Sequence, residues 1–493
     1  MSLSGVEMLF FLPAVFAVYW LLPRKAALQN AVLLLASGLF CLSWSPRLAA
    51  VLLVAIAVDY WAGRFIGFHR EQSPGKARIG LAISLAYNLL QLGYFKYAGF
   101  FAEALDSLLR TVGLGAPLPV LHVALPVGLS FYTFQKLSYV IDVYWGRQEP
   151  CRAPLQFATF VAFFPQLTAG PIPRAGDLLP EYAVPRRFDL DVLRRGAGLF
   201  FLGYVKKAYV ADYLGKYVVD PAFASPGALS TAGHWLALGA YAAQVYCDFA
   251  GYSEMAVGAG RLFGLELPRN FNYPFLSRTP AELWRRWHIT LNTWLFDYIY
   301  NPLVTGEGRF RGRLDLGFLV VFLASGLWHG ARWTFLSWGL LQGIALVVHR
   351  RWDEHYKGLC RRDRKFVALR KSRRYATAAW AATQLYFVVT LLPFRAPSLA
   401  EAGRYLLAMV APHPGKLLLH TSPPPVRLAN LVGCLGFVIA DHWMERRRAA
   451  GLPSVERFFA LPSPVRGAVY GLVIVWLLLF VPLASGTFIY AQF

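Results

Sequence analysis

The strongest constraint on this chain is a recurrence of apolar runs near 20 residues long, the length that carries a helix across about 30 Å of hydrocarbon. They lie at 5–22, 28–45, 48–66, 79–97, 123–144, 155–170, 196–219, 232–260, 314–329, 331–349, 376–394, 428–443 and 467–491. In lipid every backbone N–H and C=O must be satisfied internally, so such runs become helices. The expected fold class is an all-α polytopic membrane protein with roughly 11–13 transmembrane helices. Runs that are short or contain Pro are expected to be re-entrant or interfacial, because irregular backbone survives there only inside protein or beside a water-filled cavity. Composition agrees: 57% of the 493 residues are hydrophobic and 15% charged, against about 25% charged in soluble domains. The 15 Trp suit two interfacial belts.

The formal charge of +22 reports topology before it reports a ligand. Its residues sit in short loops, the positive-inside pattern, and no nucleic-acid-binding motif accompanies them, so no nucleic-acid partner is expected. Arg24 and Lys25, the segment His69 to Arg78, and Arg446-Arg447-Arg448 mark cytoplasmic loops. The strongest marker is Arg350 to Arg374, with eleven Lys or Arg against Asp353, Glu354 and Asp363. From 376 onward the order reads span out, Pro-rich outer loop from Pro412 to Pro425, span in, cytoplasmic Arg446 to Arg466, last span out. Phe493 is then expected outside the cytoplasm. No Lys or Arg precedes the first run, so it is expected to stay as an anchor rather than be cleaved as a signal.

The chain is expected to be one domain over 1–493: N-terminal spans at 1–115, a core at 120–350 and C-terminal spans at 375–493. No repeat or linker divides it. The five cysteines, Cys41, Cys151, Cys247, Cys360 and Cys434, form no C-x-x-C pair, so neither a metal site nor a disulfide framework is expected.

The outer loops are too short for a soluble catalytic domain, so any chemistry belongs within or at the face of the membrane. There is no G-x-S-x-G, H-E-x-x-H, Walker A or Rossmann fingerprint. Polar groups inside apolar runs are costly and are the functional candidates. In Trp284 to Tyr298, the residues Trp284, Trp287, Leu291 and Trp294 follow helical spacing, while Arg285, Arg286, Asn292 and Asp297 make the remainder polar. This predicts an amphipathic or re-entrant helix at the cytoplasmic interface carrying His288; its bland reading is an interfacial helix with a snorkelling Arg286. The stretch Leu314 to His349 is basic at both ends, which predicts a hairpin with Trp328-His329-Gly330 at its turn. His329 would then lie about 24 Å of helix from Arg313. Gly326 and Gly330 would admit a substrate or a backbone, and Trp328, Trp333 and Trp338 would wall a tunnel; a plain helix–helix hydrogen bonder is the alternative. In Tyr246 to Met255, Asp248 and Glu254 need partners: they orient an imidazole, pair with Arg285 or Arg286, or form a structural buried ion pair.

An imidazole suits acyl transfer to a hydroxyl, since its ordinary pKa near 6.5 lets it take the hydroxyl proton and return it to a leaving thiolate. No Ser or Cys nucleophile is then needed.

Five ordered blocks carry a resemblance: Leu125-Pro126-Val127-Gly128-Leu129-Ser130-Phe131-Tyr132 running on to Tyr144, Phe163-Phe164-Pro165-Gln166 to Ile172, Tyr246-Cys247-Asp248-Phe249 to Ser253, Trp284-Arg285-Arg286-Trp287-His288 to Leu291, and Gly326-Leu327-Trp328-His329-Gly330; the ending Phe488-Ile489-Tyr490 adds to them. On these the chain, from about residue 90 onward, resembles the membrane-bound O-acyltransferases of the bacterial alginate O-acetyltransferase type. The resemblance implies a ring of helices around a tunnel, with His329 as the catalytic His and His288 as the second signature residue. Asp248, Arg286, Trp328 and Asn292 are weaker supporting candidates. It implies no permanently bound cofactor, acetyl-CoA or another acyl thioester as donor, and an extracytoplasmic polysaccharide as acceptor. The expected partners are the bilayer, a periplasmic acetyltransferase and polysaccharide synthesis machinery; the expected site of action is the bacterial inner membrane. Relatives continue the fourth block with Pro-Leu-Gly-Gly-Asn-Arg, where this chain reads Pro302-Leu303-Val304-Thr305-Gly306-Glu307, and Phe296 stands where that type often has Arg. These departures bear on the acceptor and on how the donor headgroup is held. The alternatives are D-alanyl transfer to teichoic acid, lipid or lipoprotein acylation, and a transporter with a His/carboxylate proton relay.

Overall fold

The computed structural model describes residues 1–113, 126, 128–419, 424–449 and 461–480. The expected Phe493 terminus, the Phe488-Ile489-Tyr490 ending, Leu125, Val127 and parts of the 412–425 and 446–466 loops lie outside the described residues.

Among the described residues the regular structure is helical, with a lone bridge between Leu229 and Lys416. The N-terminal helices are α1 (Met8–Leu21), α2 (Ala26–Leu42), α3 (Pro46–His69), α4 (Pro74–Leu92) and α5 (Ala98–Thr111). The middle contains α6 (Leu129–Tyr144), α7 (Pro154–Ala162), α8 (Phe164–Leu167), α9 (Ala175–Ala183), α10 (Leu190–Tyr204), α11 (Asp212–Leu214), α12 (Asp220–Ala224) and α13 (Thr231–Leu262). Then follow α14 (Pro280–Arg286), α15 (Ile289–Leu295), α16 (Asn301–Thr305), α17 (Leu314–His329), α18 (Trp333–Arg362), α19 (Arg364–Lys371), α20 (Arg373–Arg395), α21 (Leu399–Val410), α22 (Pro424–Ala449) and α23 (Ser463–Phe480). Two of them, α3 and α20, are by length and composition alone long and apolar enough to cross a membrane; α1, α2 and α17 are shorter apolar helices. Large apolar side chains stand exposed along the bundle, among them Leu21, Leu35, Trp61, Leu90 and Leu472.

Buried polar groups stitch the N-terminal helices to the rest. Arg186 donates to Tyr19 Oη at 2.7 Å and to Asn30 Oδ1 at 2.8 Å, and Tyr19 donates to the Phe263 carbonyl at 2.8 Å. Lys136 of α6 meets Asp59 of α3 at 2.8 Å, and Asn88 of α4 donates to both Asp59 oxygens at 3.0 Å. Helices α10 and α13 approach through glycines: a Cβ on Gly203 would stand 2.5 Å from the Gly251 carbonyl oxygen, the close backbone contact that small residues permit between membrane helices.

The helices differ from the sequence expectation in four places. The 155–170 run is broken into α7 and α8 at Phe163 (ψ 109°); Pro165 would clash with the carbonyl four residues back if the helix continued. The expected single helix at 284–298 is two helices split at His288, followed by a π-helical turn at Phe296–Tyr300. The basic loop at 350–374 is largely helical, comprising the end of α18, α19 and the start of α20; Lys and Arg are good helix formers, and Asp363 and Ser372 cap the two new starts. Helices α5 and α21 stand where no span was expected.

Candidate active site

Helices α17 and α18 form the expected hairpin. Gly326 and Gly339 set its closeness: a Cβ on Gly326 would lie 2.4 Å from the Phe335 carbonyl oxygen, and one on Gly339 2.2 Å from that of Phe322. At the open end Asp315 receives Arg350 and Arg351, both at 2.5 Å. The rise of α17 from Asp315 to His329 therefore separates this charged end from His329 by about 21 Å.

His329 is the last residue of α17 and is 4% exposed. Trp328, Trp338 and Phe394 meet its ring edge to face, with centroids at 4.9, 5.0 and 5.1 Å. His288, 1% exposed, is held in the left-handed region at φ 44°, a conformation a non-glycine residue keeps only when its surroundings impose it. Here the neighbour is Asn270. Its carbonyl accepts the Ile289 N–H at 2.8 Å, and its Oδ1 lies 3.0 Å from His288 Nδ1. Asn270 Oδ1 also accepts from Thr290 Oγ1 at 3.0 Å, while Asn270 Nδ2 donates to Ser253 Oγ at 3.2 Å. With the amide oxygen toward the ring, His288 carries its proton on Nδ1 and leaves Nε2 as the basic nitrogen. Phe249 and Trp328 stand against the imidazole at 4.5 and 5.7 Å, so Trp328 touches both histidines.

The four supporting candidates have distinct places. Trp328 is in the cage. Asn292 donates to the carbonyls of Trp284 at 2.9 Å and Trp287 at 2.5 Å, satisfying the frayed end of α14 and fixing the His288 turn. Arg286 pairs with Glu282 at 3.0 Å and donates to the Asn272 carbonyl at 3.1 Å. Asp248 takes the third of its expected arrangements, a buried ion pair with Lys207 at 2.7 Å, which Asp212 shares at 2.6 Å. Glu254 likewise meets Lys206 at 2.6 Å, with Asp441 at 3.0 Å from the same ammonium. The partners are lysines, where the sequence suggested Arg285 or Arg286.

Residues that sequence reasoning missed complete the site. Lys96, in a π-helical turn at Gly93–Tyr97, donates to the Trp328 carbonyl and lies 5.4 Å from the Trp328 ring centroid. Tyr97 donates to the Leu327 carbonyl at 3.1 Å. Together they hold the carbonyl end of α17 just before His329. The signal was present, since Lys96 is a charge within an expected span. Asn270, in contrast, lies in a loop with no periodicity to expose it. Among the described residues no group of His, Cys, Asp or Glu is arranged to hold a metal ion.

The model of the membrane-bound O-acyltransferase family matches residues 153–392, the stretch that contains both histidines. A probable alginate O-acetylase AlgI of Azotobacter vinelandii is 37% identical over 407 residues, 82% of this chain and 77% of that protein. A peptidoglycan O-acetyltransferase of Helicobacter pylori is 33% identical over 452 residues, 86% and 82% of the two chains. A teichoic acid D-alanyltransferase of Streptococcus thermophilus is 31% identical over 257 residues, 50% of this chain and 61% of that one. The chain belongs to the membrane-bound O-acyltransferase family. It is an O-acyltransferase of a membrane-bound family, and the regular structure of its described residues is all-helical apart from one bridge.

Proposed function

We propose that this enzyme carries an acetyl group from a cytoplasmic thioester, acetyl-CoA, across the inner membrane. The acceptor is a hydroxyl of an extracytoplasmic polysaccharide of the alginate kind, reached directly or through a periplasmic acetyltransferase partner. The observation that carries the reading is the placement of His329: buried in aromatic rings at the closed end of a hairpin whose open end is fixed by Asp315, Arg350 and Arg351. Lys and Arg at that end favour the cytoplasmic face, so a donor entering from the cytoplasm and an acceptor from outside would meet at His329. The exposed apolar side chains and the recurrent spans support a multi-pass position in the inner membrane.

In this reading His329 takes the proton of the acceptor hydroxyl as its oxygen adds to the thioester carbonyl. The C–O bond forms, the C–S bond breaks, and the departing thiolate receives the proton from His329. His288, its Nδ1–H fixed on Asn270, positions the acceptor or donor through Nε2. Trp328, between the two rings, excludes water, which would otherwise hydrolyse the thioester. Lys96 and Asn292 act through the backbone they hold. No resident cofactor takes part.

An acetyl group is favoured over D-alanine by the reach of the similarity: the O-acetylating relatives align over 82% and 86% of this chain, the D-alanyltransferase over 50%. The test is purified protein in proteoliposomes, supplied on one side with radiolabelled acetyl-CoA and on the other with deacetylated polymannuronate. Label on the polymer, or on an added periplasmic partner, is the expected result. Transfer only from a D-alanyl carrier protein would replace the reading.

A further inference from the structure

Three indole N–H groups in and beside the His329 cage have no hydrogen-bond acceptor among the described residues: those of Trp284, Trp328 and Trp338. All three side chains are buried, Trp328 at 4% and Trp338 at 3% exposure. Other indoles have acceptors, one of them buried and three others less so. Trp294, 5% exposed, donates to the Phe134 carbonyl at 2.8 Å, and Trp20, Trp235 and Trp380 donate to carbonyls at 3.0, 2.9 and 2.8 Å. Each buried donor left without an acceptor calls for an explanation. Here two of them belong to the rings packed on His329, at 4.9 and 5.0 Å, while Trp284 packs on Trp338 and Phe322.

We propose that the indole N–H groups of Trp328 and Trp338 form the binding site for the acyl carbonyl oxygen of the donor thioester. The proposal rests on the reading of His329 as general base. When the acceptor oxygen, relieved of its proton by His329, adds to the carbonyl carbon, the carbonyl electron pair moves onto the oxygen that the two N–H groups hold. As the carbonyl re-forms, the C–S bond breaks and the sulfur takes its proton from His329. Donors fixed in a buried aromatic cage need no reorganisation as the charge develops, which is where such groups act most strongly. The Lys96 contact to the Trp328 carbonyl and the glycine-tight hairpin keep both indoles in place.

The test replaces Trp328 or Trp338 singly, by amber suppression, with 3-benzothienylalanine, which keeps the bicyclic shape and puts sulfur where the N–H was. The expected result is a kcat for acetyl transfer lowered about 10²–10³-fold, the loss usual for one oxyanion donor, with KM for acetyl-CoA nearly unchanged. Trp338→Phe, which also lacks the N–H, is expected to show the same split if an analogue does not accumulate. Unchanged kcat at both positions overturns the proposal, as does a rise in KM alone. His329→Ala is run alongside: full activity there overturns the general-base reading and this proposal with it. Loss in His329→Ala together with full rates in both analogues overturns the carbonyl site only.

Discussion

His288 and His329 share one neighbour: the ring of Trp328 stands 5.7 Å from the first imidazole and 4.9 Å from the second. The pair is thus joined by packing, and each histidine has its own restraint. For His288 that restraint is Asn270. Asn270→Leu is expected to lower kcat about 10–100-fold, the range seen when the group orienting a functional histidine is lost, while Asn270→Asp retains part of the activity. Steady-state kinetics with acetyl-CoA checks this, and equal rates in both variants would contradict it. His288→Asn, which tolerates the left-handed backbone, is expected to fold and to be inactive.

The Asp59–Lys136 pair is fully buried on both sides and lies far in sequence from the cage residues of α17. Removing one partner strands a charge, and Lys136→Met is expected to cost about 3–5 kcal/mol. The double variant Asp59→Asn with Lys136→Met is expected to recover much of that loss. Unfolding of the two single variants, Asp59→Asn and Lys136→Met, and of the double variant in detergent gives the coupling; additive losses would show that the pair is not a unit.

Gly128 caps α6 at φ 73°, and a Cβ there would lie 1.9 Å from the Leu167 carbonyl oxygen. Backbone cannot give way as a side chain can, so Gly128→Ala is expected to abolish accumulation of folded protein. Gly38→Ala, in α2, meets nothing within 4 Å and is expected to be stable or slightly stabilised. Fluorescence-detected size exclusion of the two variants reads the difference.

At the basic end of α18, Lys357, at 2.7 Å, and then Arg370 hold the Asp353 carboxyl below the usual carboxylate range. A depressed folded value means stability that is present above the unfolded pKa, near 4, and is lost as pH falls through the folded one. The pair is partly exposed and therefore weak, worth about 1–2 °C in melting temperature. Asp353→Asn is expected to melt lower by that amount at pH 7 and to match the parent once the pH has fallen below the depressed folded value of Asp353. A difference that grows on acidification would refute the pairing.

Much of the helical architecture could be read directly because apolar runs without internal breaks become helices, and charge at both ends of a long run requires a turn between them. The α17–α18 hairpin is the plainest case: basic residues at both ends of one long apolar stretch require a turn in the middle, and His329 is there. The break at His288 was hidden, because the apolar spacing from Trp284 to Trp294 continues through it. Tertiary contact with Asn270, from a loop 18 residues away, imposes the turn, with Asn292 closing it from the far side. The partners of Asp248 and Glu254 were hidden for a similar reason. Lys206 and Lys207 lie on π-helical backbone, whose wider turn alters which side chains face α13. Lys96 was visible as a charge within a span, but nothing local shows that it reaches the Trp328 carbonyl, 232 residues on.

The proposed chemistry turns on His329, and its most direct measurement is acetyl transfer by His329→Ala in proteoliposomes, with folding verified by an unchanged elution profile. A general base contributes about 10²–10⁴-fold, so transfer from acetyl-CoA is expected to fall at least a hundredfold, with KM for the donor little changed. Transfer at the parent rate by a folded His329→Ala enzyme would contradict the account.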